Sequence, residues 1–178
     1  MEVAARVQQR LFPQNPPQLE GYDLAGTVAP ALEACGDYFD FIPLPTGKMM
    51  LVVADVCGHG VGPALIMAQT RAHLRSLARA RRGLQAIVNE LNAALEADLA
   101  DEHFVTMLLA SVDPRTGVVQ WANAGHPSGF VLDASGQVKA ELCSTSLPLG
   151  LFPGPLASAG RRVVLEPGDL LVIPTDGF

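Results

Sequence analysis

Only two stretches of this chain hold a helical period for several turns, and they lie back to back. Pro63 to Ala80 places Leu65, Ile66, Ala68, Ala72, Leu74 and Leu77 at helical spacing, and Leu84 to Leu99 sets Ile87, Val88, Leu91, Leu95 and Leu99 on one face, with Gly83 between them. Elsewhere the apolar residues fall in short blocks cut by Gly and Pro, which is the pattern of strands. Before the helical pair these are Tyr22–Val28, Cys35–Pro43 and Met50–Ala54; after it come Phe104–Val112, Val118–Ala124, Phe130–Leu132, Val138–Leu142, Arg161–Leu165 and Asp169–Ile173. Runs of strands around a single helical hairpin (63–99) predict an α+β layered architecture of antiparallel sheets. A doubly wound parallel sheet would need strand and helix to alternate. Nothing resembling a repeat or linker divides the chain, and 178 residues with 49% hydrophobic and 17% charged content suit one domain over 1–178. Ala4 to Phe12 reads as a short amphipathic helix with Val7 and Leu11 as its apolar pair, stopped by Pro13 and followed by the stiff Pro16-Pro17 connector, so 1–17 forms an appendage that packs on the rest.

Charge and cysteine usage narrow the function. A net charge of −6 argues against a nucleic-acid or anionic-membrane surface. Cys35, Cys57 and Cys143 form no CxxC pair, which fits reduced thiols better than a disulfide framework or a zinc site. No signal-peptide pattern and no apolar run of membrane-spanning length is present, so a soluble, cytoplasmic protein is expected. The arginines at 71, 75, 79, 81 and 82 gather late in the first long helix and read as a solvated basic end suited to the helix dipole.

The acids carry the chemistry. The run Met49 to Ala54 ends at Asp55, and Gly58-His59-Gly60 turns the chain before Pro63 opens the helix. Asp37 and Asp40 lie in the preceding strand, and the short Pro45-Thr46-Gly47-Lys48 turn makes these two strands a hairpin that brings Asp37 near Asp55. Asp176 ends the last strand and again precedes a glycine. Carboxylates and main-chain carbonyls are hard donors for Mg²⁺ or Mn²⁺, and such an oxygen-only site activates water and neutralises charge on a phosphate ester. A two-carboxylate glycosidase is an alternative that leaves the glycine turns unexplained. No serine or cysteine lies in a nucleophile-elbow pattern. His59 and His126 sit in Gly-flanked turns, where a site role and a turn-capping role both fit; His73 and His103 read as surface or helix-end residues.

Six segments in order, Val7-Gln8-x-x-Leu11-Phe12-Pro13, Cys35-Gly36-Asp37-Tyr38-Phe39-Asp40, Ala54-Asp55-Val56-Cys57-Gly58-His59-Gly60, Asn123-Ala124-Gly125-His126-Pro127, Leu147-Pro148-Leu149-Gly150 and Pro167-Gly168-Asp169-Leu170 through Thr175-Asp176-Gly177, resemble the bacterial PPM-type serine/threonine phosphatases of the sporulation-protein-E and RsbU group. The resemblance implies an αββα sandwich of two antiparallel sheets flanked by helices. It also implies two Mn²⁺ or Mg²⁺ ions and hydrolysis of phosphoserine or phosphothreonine on an anti-anti-sigma (STAS-domain) protein. By position it implies that Asp55 bridges both metals, that the Val56 carbonyl is a further ligand, and that Asp37 serves the second metal and Asp176 the first. Asp40 is a less certain member. The N-terminal helix and the helical hairpin correspond to the regulatory, dimer-forming part of the family. Two departures stand out. Cys57 occupies a position where the group usually has Ser. The family pattern also continues past Asp176-Gly177 with a helical segment and a strand bearing another metal-binding Asp, so the expected core is incomplete at its C-terminal side, with weakened occupancy of the first metal. A catalytically inactive phosphatase-like binding module and a hydrolase of small phosphoesters are the competing readings.

Overall fold

β2 (Met49–Val56) is the strand on which the larger sheet is assembled. It pairs antiparallel with β1 (Tyr38–Pro43) through the Leu44–Lys48 turn and with β3 (Val105–Val112) on its other side. β4 (Val118–Ala124) and β7 (Arg162–Val164) complete the order β1-β2-β3-β4-β7. A second antiparallel sheet, β6-β5-β8, is formed by β5 (Gly129–Leu132), β6 (Val138–Leu142) and β8 (Leu170–Val172). The helices are α1 (Glu2–Gln9), α2 (Val61–Arg79) and α3 (Leu84–Asp98). The computed structural model describes residues 2–28, 35–80, 83–99, 103–156 and 162–175.

Strand alternation sorts the side chains into two cores. On one face of the large sheet, Tyr38, Met50, Val52, Ala54, Val105, Met107 and Leu109 meet Met67 and Leu74 of α2 and Ile87, Leu91 and Leu95 of α3. Leu74, Ile87, Leu91 and Leu95 are fully buried, each worth about 1.5–3 kcal/mol. On the other face, Leu108, Ala110, Val112, Val119 and Trp121 pack against Val131 and Leu142 of the small sheet. Among the described residues the arrangement is helices on sheet on sheet, three of the four layers of an αββα sandwich, and the outer face of the small sheet leaves Val138, Leu170 and Val172 exposed.

The structure corrects three expectations and fixes one connection that the sequence left open. Tyr22–Val28 is no strand: beyond an isolated bridge between Leu19 and Tyr22 it forms no ladder, and Gly26 instead lies against the rings of Phe39 and Phe41. The Glu166-Pro167-Gly168 turn closes no hairpin, because β7 pairs with β4 and β8 with β5, so the turn passes the chain from one sheet to the other. In the N-terminal segment Val7 is 58% exposed, so only Leu11 of the expected pair packs on the core, beside the buried Gln8 and Phe12. Arg75 is not part of a solvated basic end, since it is drawn inward by a buried carboxylate, Asp40.

Candidate functional site

Two acids of the Cys35–Asp40 segment have opposite fates because they stand three residues apart on an extended chain. Asp40 shares the helix-side face with Tyr38 and is buried there. Arg75 of α2 forks onto it, Nε to Oδ2 and Nη2 to Oδ1, each at 2.7 Å; the Tyr38 hydroxyl donates to Oδ2 at 2.6 Å and the Phe41 N–H to Oδ1 at 2.9 Å. Burial, then the neighbouring Asp40 charge, raises the Tyr38 phenol well above its ordinary pKa, and the bond to Asp40 raises that of Arg75. Asp40 is therefore an anchor of β1 on α2, on the far side of the sheet from the other acids. Its candidacy as a ligand is withdrawn.

Asp37 faces the other way. The ladder aligns Tyr38 with Ala54 and the Val56 N–H bonds the Gly36 carbonyl, so the same register carries Asp37, just outside β1, across from Asp55. The Val56 N–H donates to the Gly36 carbonyl at 3.3 Å, so the hydrogen bonding continues past the acids and leaves them at a non-hydrogen-bonded position. At such a position Cα atoms are about 4.5 Å apart and side chains are closest. Gly36 is what permits this. A Cβ there would collide with the Val56 carbonyl oxygen and come within 2.9 Å of Asp55 Oδ1. The Asp55 carboxylate and the Val56 carbonyl thus converge over Gly36, next to Asp37. Three hard oxygen donors on two adjacent strands fit a small divalent cation, and like charges directly opposite on a ladder disfavour each other without one. Burial raises the Cys35 thiol above its ordinary pKa; a hydrogen bond involving the Asp37 backbone opposes this, while the charges of Asp37 and Asp55 add to it. A thiol held protonated is a poor nucleophile.

The row continues across the sheet. Asp55 is aligned with Thr106 of β3. The Thr106 hydroxyl lies 2.9 Å from His126 Nδ1, and the ring's other nitrogen, Nε2, lies 3.1 Å from the Pro174 carbonyl. A carbonyl only accepts, so Nε2 carries a proton, and in the neutral ring Nδ1 accepts from Thr106. Asn123 fixes the turn: its Oδ1 accepts from the His126 N–H at 2.8 Å and its Nδ2 donates to the Leu142 carbonyl at 3.0 Å. His126 is 4% exposed and ties the Asp55 row to the chain leaving β8. Asp176 lies two residues past Pro174 and outside the described residues. Among the described residues no group of three or more His, Cys, Asp or Glu side chains gathers to hold a metal. At Cys57 the main chain joins β3: its N–H donates to the Phe104 carbonyl at 3.1 Å, and its Sγ accepts from the Phe104 N–H at 3.2 Å. His59 is exposed in the turn made by Gly58 and Gly60, both at positive φ.

The structure brings Asp37 near Asp55 and Val56, as the hairpin reading expected; Gln8 and Asn123 stood in the family-like segments without a role, and Thr106 was not singled out. The odd spacing of Asp37 and Asp40 was a readable sign that only one of them faces the site.

The sequence profile of the Stage II sporulation protein E (SpoIIE) family matches residues 45–178. Phosphoserine phosphatase RsbU of Bacillus subtilis (strain 168) is 29% identical over 177 residues, covering 99% of this chain and 52% of RsbU, so the chain spans about half of that relative. Among solved structures, the RsbU and RsbW domains of Rv1364c from Mycobacterium tuberculosis superpose with a TM-score of 0.68 at 30% identity, over 80% of this chain and 40% of that one. The PP2C phosphatase domain and regulatory fragment of SpoIIE from Bacillus subtilis superpose at 0.71 with 21% identity, over 83% of this chain and 42% of that one, a likeness of fold. With three-quarters of its length matched and two antiparallel sheets under a helical layer, the chain belongs to the SpoIIE family of PPM-type (PP2C) phosphatase domains.

Proposed function

We propose that this chain is a metal-dependent serine/threonine phosphatase domain acting on a phosphorylated regulatory protein of the anti-anti-sigma (STAS) type in the cytoplasm. The observation that carries the reading is the direct opposition of Asp37 and Asp55, with the Val56 carbonyl converging over Gly36. Family membership and the 29% identity to a phosphoserine phosphatase support the reaction class. Three free cysteines suit a reducing compartment.

In this reading Asp37, Asp55 and the Val56 carbonyl hold Mn²⁺ or Mg²⁺, with Asp176 completing a two-ion site. When bound, the ions supply Lewis-acid stabilisation of charge on the phosphoryl group and make water more acidic. The chain's own residues set the geometry. Asp55 is fixed between two ladder partners, Asp37 is brought opposite it by Gly36, and His126 with Thr106 holds the strand that leads to Asp176. No side chain of the row is required as a nucleophile.

The test is titration of Mn²⁺ into the wild-type chain and into Asp55→Ala, with turnover measured on a phosphorylated STAS protein and on a small phosphate monoester. Two-site binding and phosphoprotein turnover, both lost in Asp55→Ala, are expected. A folded wild-type chain that binds no Mn²⁺ refutes the reading. Turnover of the small ester alone would move the substrate class away from phosphoproteins.

A further inference from the structure

Among the side chains of α1 whose burial is described, the buried one is polar. Gln8, only 6% exposed, uses both ends of its amide on one residue of the site segment: Nε2 donates to the Cys35 carbonyl at 2.5 Å, and the Cys35 N–H donates to Oε1 at 3.1 Å. Four residues on, Phe12 stacks on Phe39, with ring centroids 5.6 Å apart and planes 20° apart. Cys35 and Phe39 lie two residues before and two residues after Asp37. The N-terminal segment therefore grips the chain on both sides of Asp37, while β2 holds it from across the ladder through the Val56 to Gly36 bond.

We infer that Gln8 and Phe12 are positioning residues for Asp37 and hold its carboxylate opposite Asp55. The inference rests on the metal-site reading above. A side-chain amide bonded to both main-chain groups of one residue fixes that residue's distance and orientation together. A helix joined to Asp37 only through bulk packing would not have this grip. Groups that orient metal-binding residues from outside typically change metal affinity about 10- to 100-fold when removed.

The experiment measures Mn²⁺ affinity and backbone hydrogen exchange of the 35–37 segment in the wild-type chain, Gln8→Met, Gln8→Glu and Leu84→Ala. Gln8→Met keeps the side chain's length and removes both hydrogen bonds; Gln8→Glu keeps the acceptor and loses the donor. Leu84→Ala trims the core at the far end of the hairpin and controls for general destabilisation. Expected are affinity losses of about 10- to 100-fold in Gln8→Met, a smaller loss in Gln8→Glu, faster exchange at Cys35 in both, and unchanged affinity in Leu84→Ala despite its lower melting point. If Gln8→Met does not fold, Phe12→Leu carries the same test through the Phe39 contact. Wild-type Mn²⁺ affinity in the folded variants overturns the inference alone. Absence of Mn²⁺ binding in the wild-type chain overturns the metal-site reading and the inference with it.

Discussion

Gly36→Ala puts the metal-site reading at greatest risk. An added Cβ would fall inside 3.0 Å of the Val56 carbonyl oxygen, the Val56 nitrogen and Asp55 Oδ1. Two of these are main-chain atoms of the strand at the centre of the β1-β2-β3 ladder, so a rotamer change cannot relieve the clash. The segment must retreat from β2 by roughly 1 Å to restore ordinary contacts of about 3.5–4.0 Å. That movement gives up the Val56 to Gly36 hydrogen bond, worth about 0.5–1.5 kcal/mol. With the strain of overpacking, the total stability loss should be about 1–3 kcal/mol. The effect on the site should be proportionally larger, because Asp37 is the next residue and a 1 Å misplacement of a positioned group costs about 100-fold in rate. Isothermal titration should show Mn²⁺ bound about 10- to 100-fold more weakly, and urea unfolding should show a folded protein of reduced stability. Gly47→Ala is the matched control. Gly47 sits at φ +79° in the β1–β2 turn with nothing within 4 Å of a Cβ, so the change costs about 1–2 kcal/mol of backbone strain and leaves the site alone. Wild-type affinity in Gly36→Ala, or an equal loss in Gly47→Ala, would refute the reasoning.

Two further predictions concern the helix side of the sheet. Arg75→Met leaves the fully buried Asp40 carboxylate with the Tyr38 hydroxyl and the Phe41 N–H as its donors among the four described, and should cost about 3 kcal/mol in urea unfolding; in the double variant with Asp40→Asn the loss should fall short of additive by at least about 1 kcal/mol, and strict additivity would deny the coupling. The Tyr38 phenol titrates above its unfolded value of about 10, so the native state holds its proton where the unfolded chain releases it, and its contribution, intact below about pH 10, is lost as pH rises above that. Thermal melts between pH 8 and 11.5 should show a steeper alkaline decline for the wild-type chain than for Tyr38→Phe, and parallel declines would argue against the shift.

The layered architecture was legible because period and punctuation agree. From Phe104 onward Gly and Pro set the strand ends within a residue, while β1 begins three residues after Cys35 and β2 runs two past Ala54; the helical pair is the stretch where the period changes from two to 3.6. What was not legible depended on partners distant in sequence. Glu166-Pro167-Gly168 has the chemistry of a hairpin turn, yet Val163 is claimed by Val119 and Leu171 by Val131, so the turn serves as a crossing between sheets. Tyr22–Val28 has strand alternation but pairs with no strand among the described residues, and Gly26 instead lies against the rings of Phe39 and Phe41. Arg75 looked like one of several helix-end cations until tertiary structure supplied the buried carboxylate of Asp40.

The site follows from parity. On an extended chain, residues an odd number apart face opposite sides, so Asp37 and Asp40 cannot both join Asp55. A residue at 40 pointing into the helical layer must be neutralised there, which is what Arg75 and Tyr38 do. A residue at 37 pointing between the sheets stands opposite Asp55, and the close approach this needs explains why position 36 is glycine. Neither fact accounts for how Asp37, just outside the regular part of β1, is held in register. β2 contributes one hydrogen bond beyond the acids, at 3.3 Å, a weak tether for so demanding a placement. Gln8 and Phe12 add a second constraint, gripping the residues two before and two after the acid. Asp37 is therefore held from two sides, by β2 across the ladder and by an N-terminal segment whose Phe12 is itself part of the helix-side core.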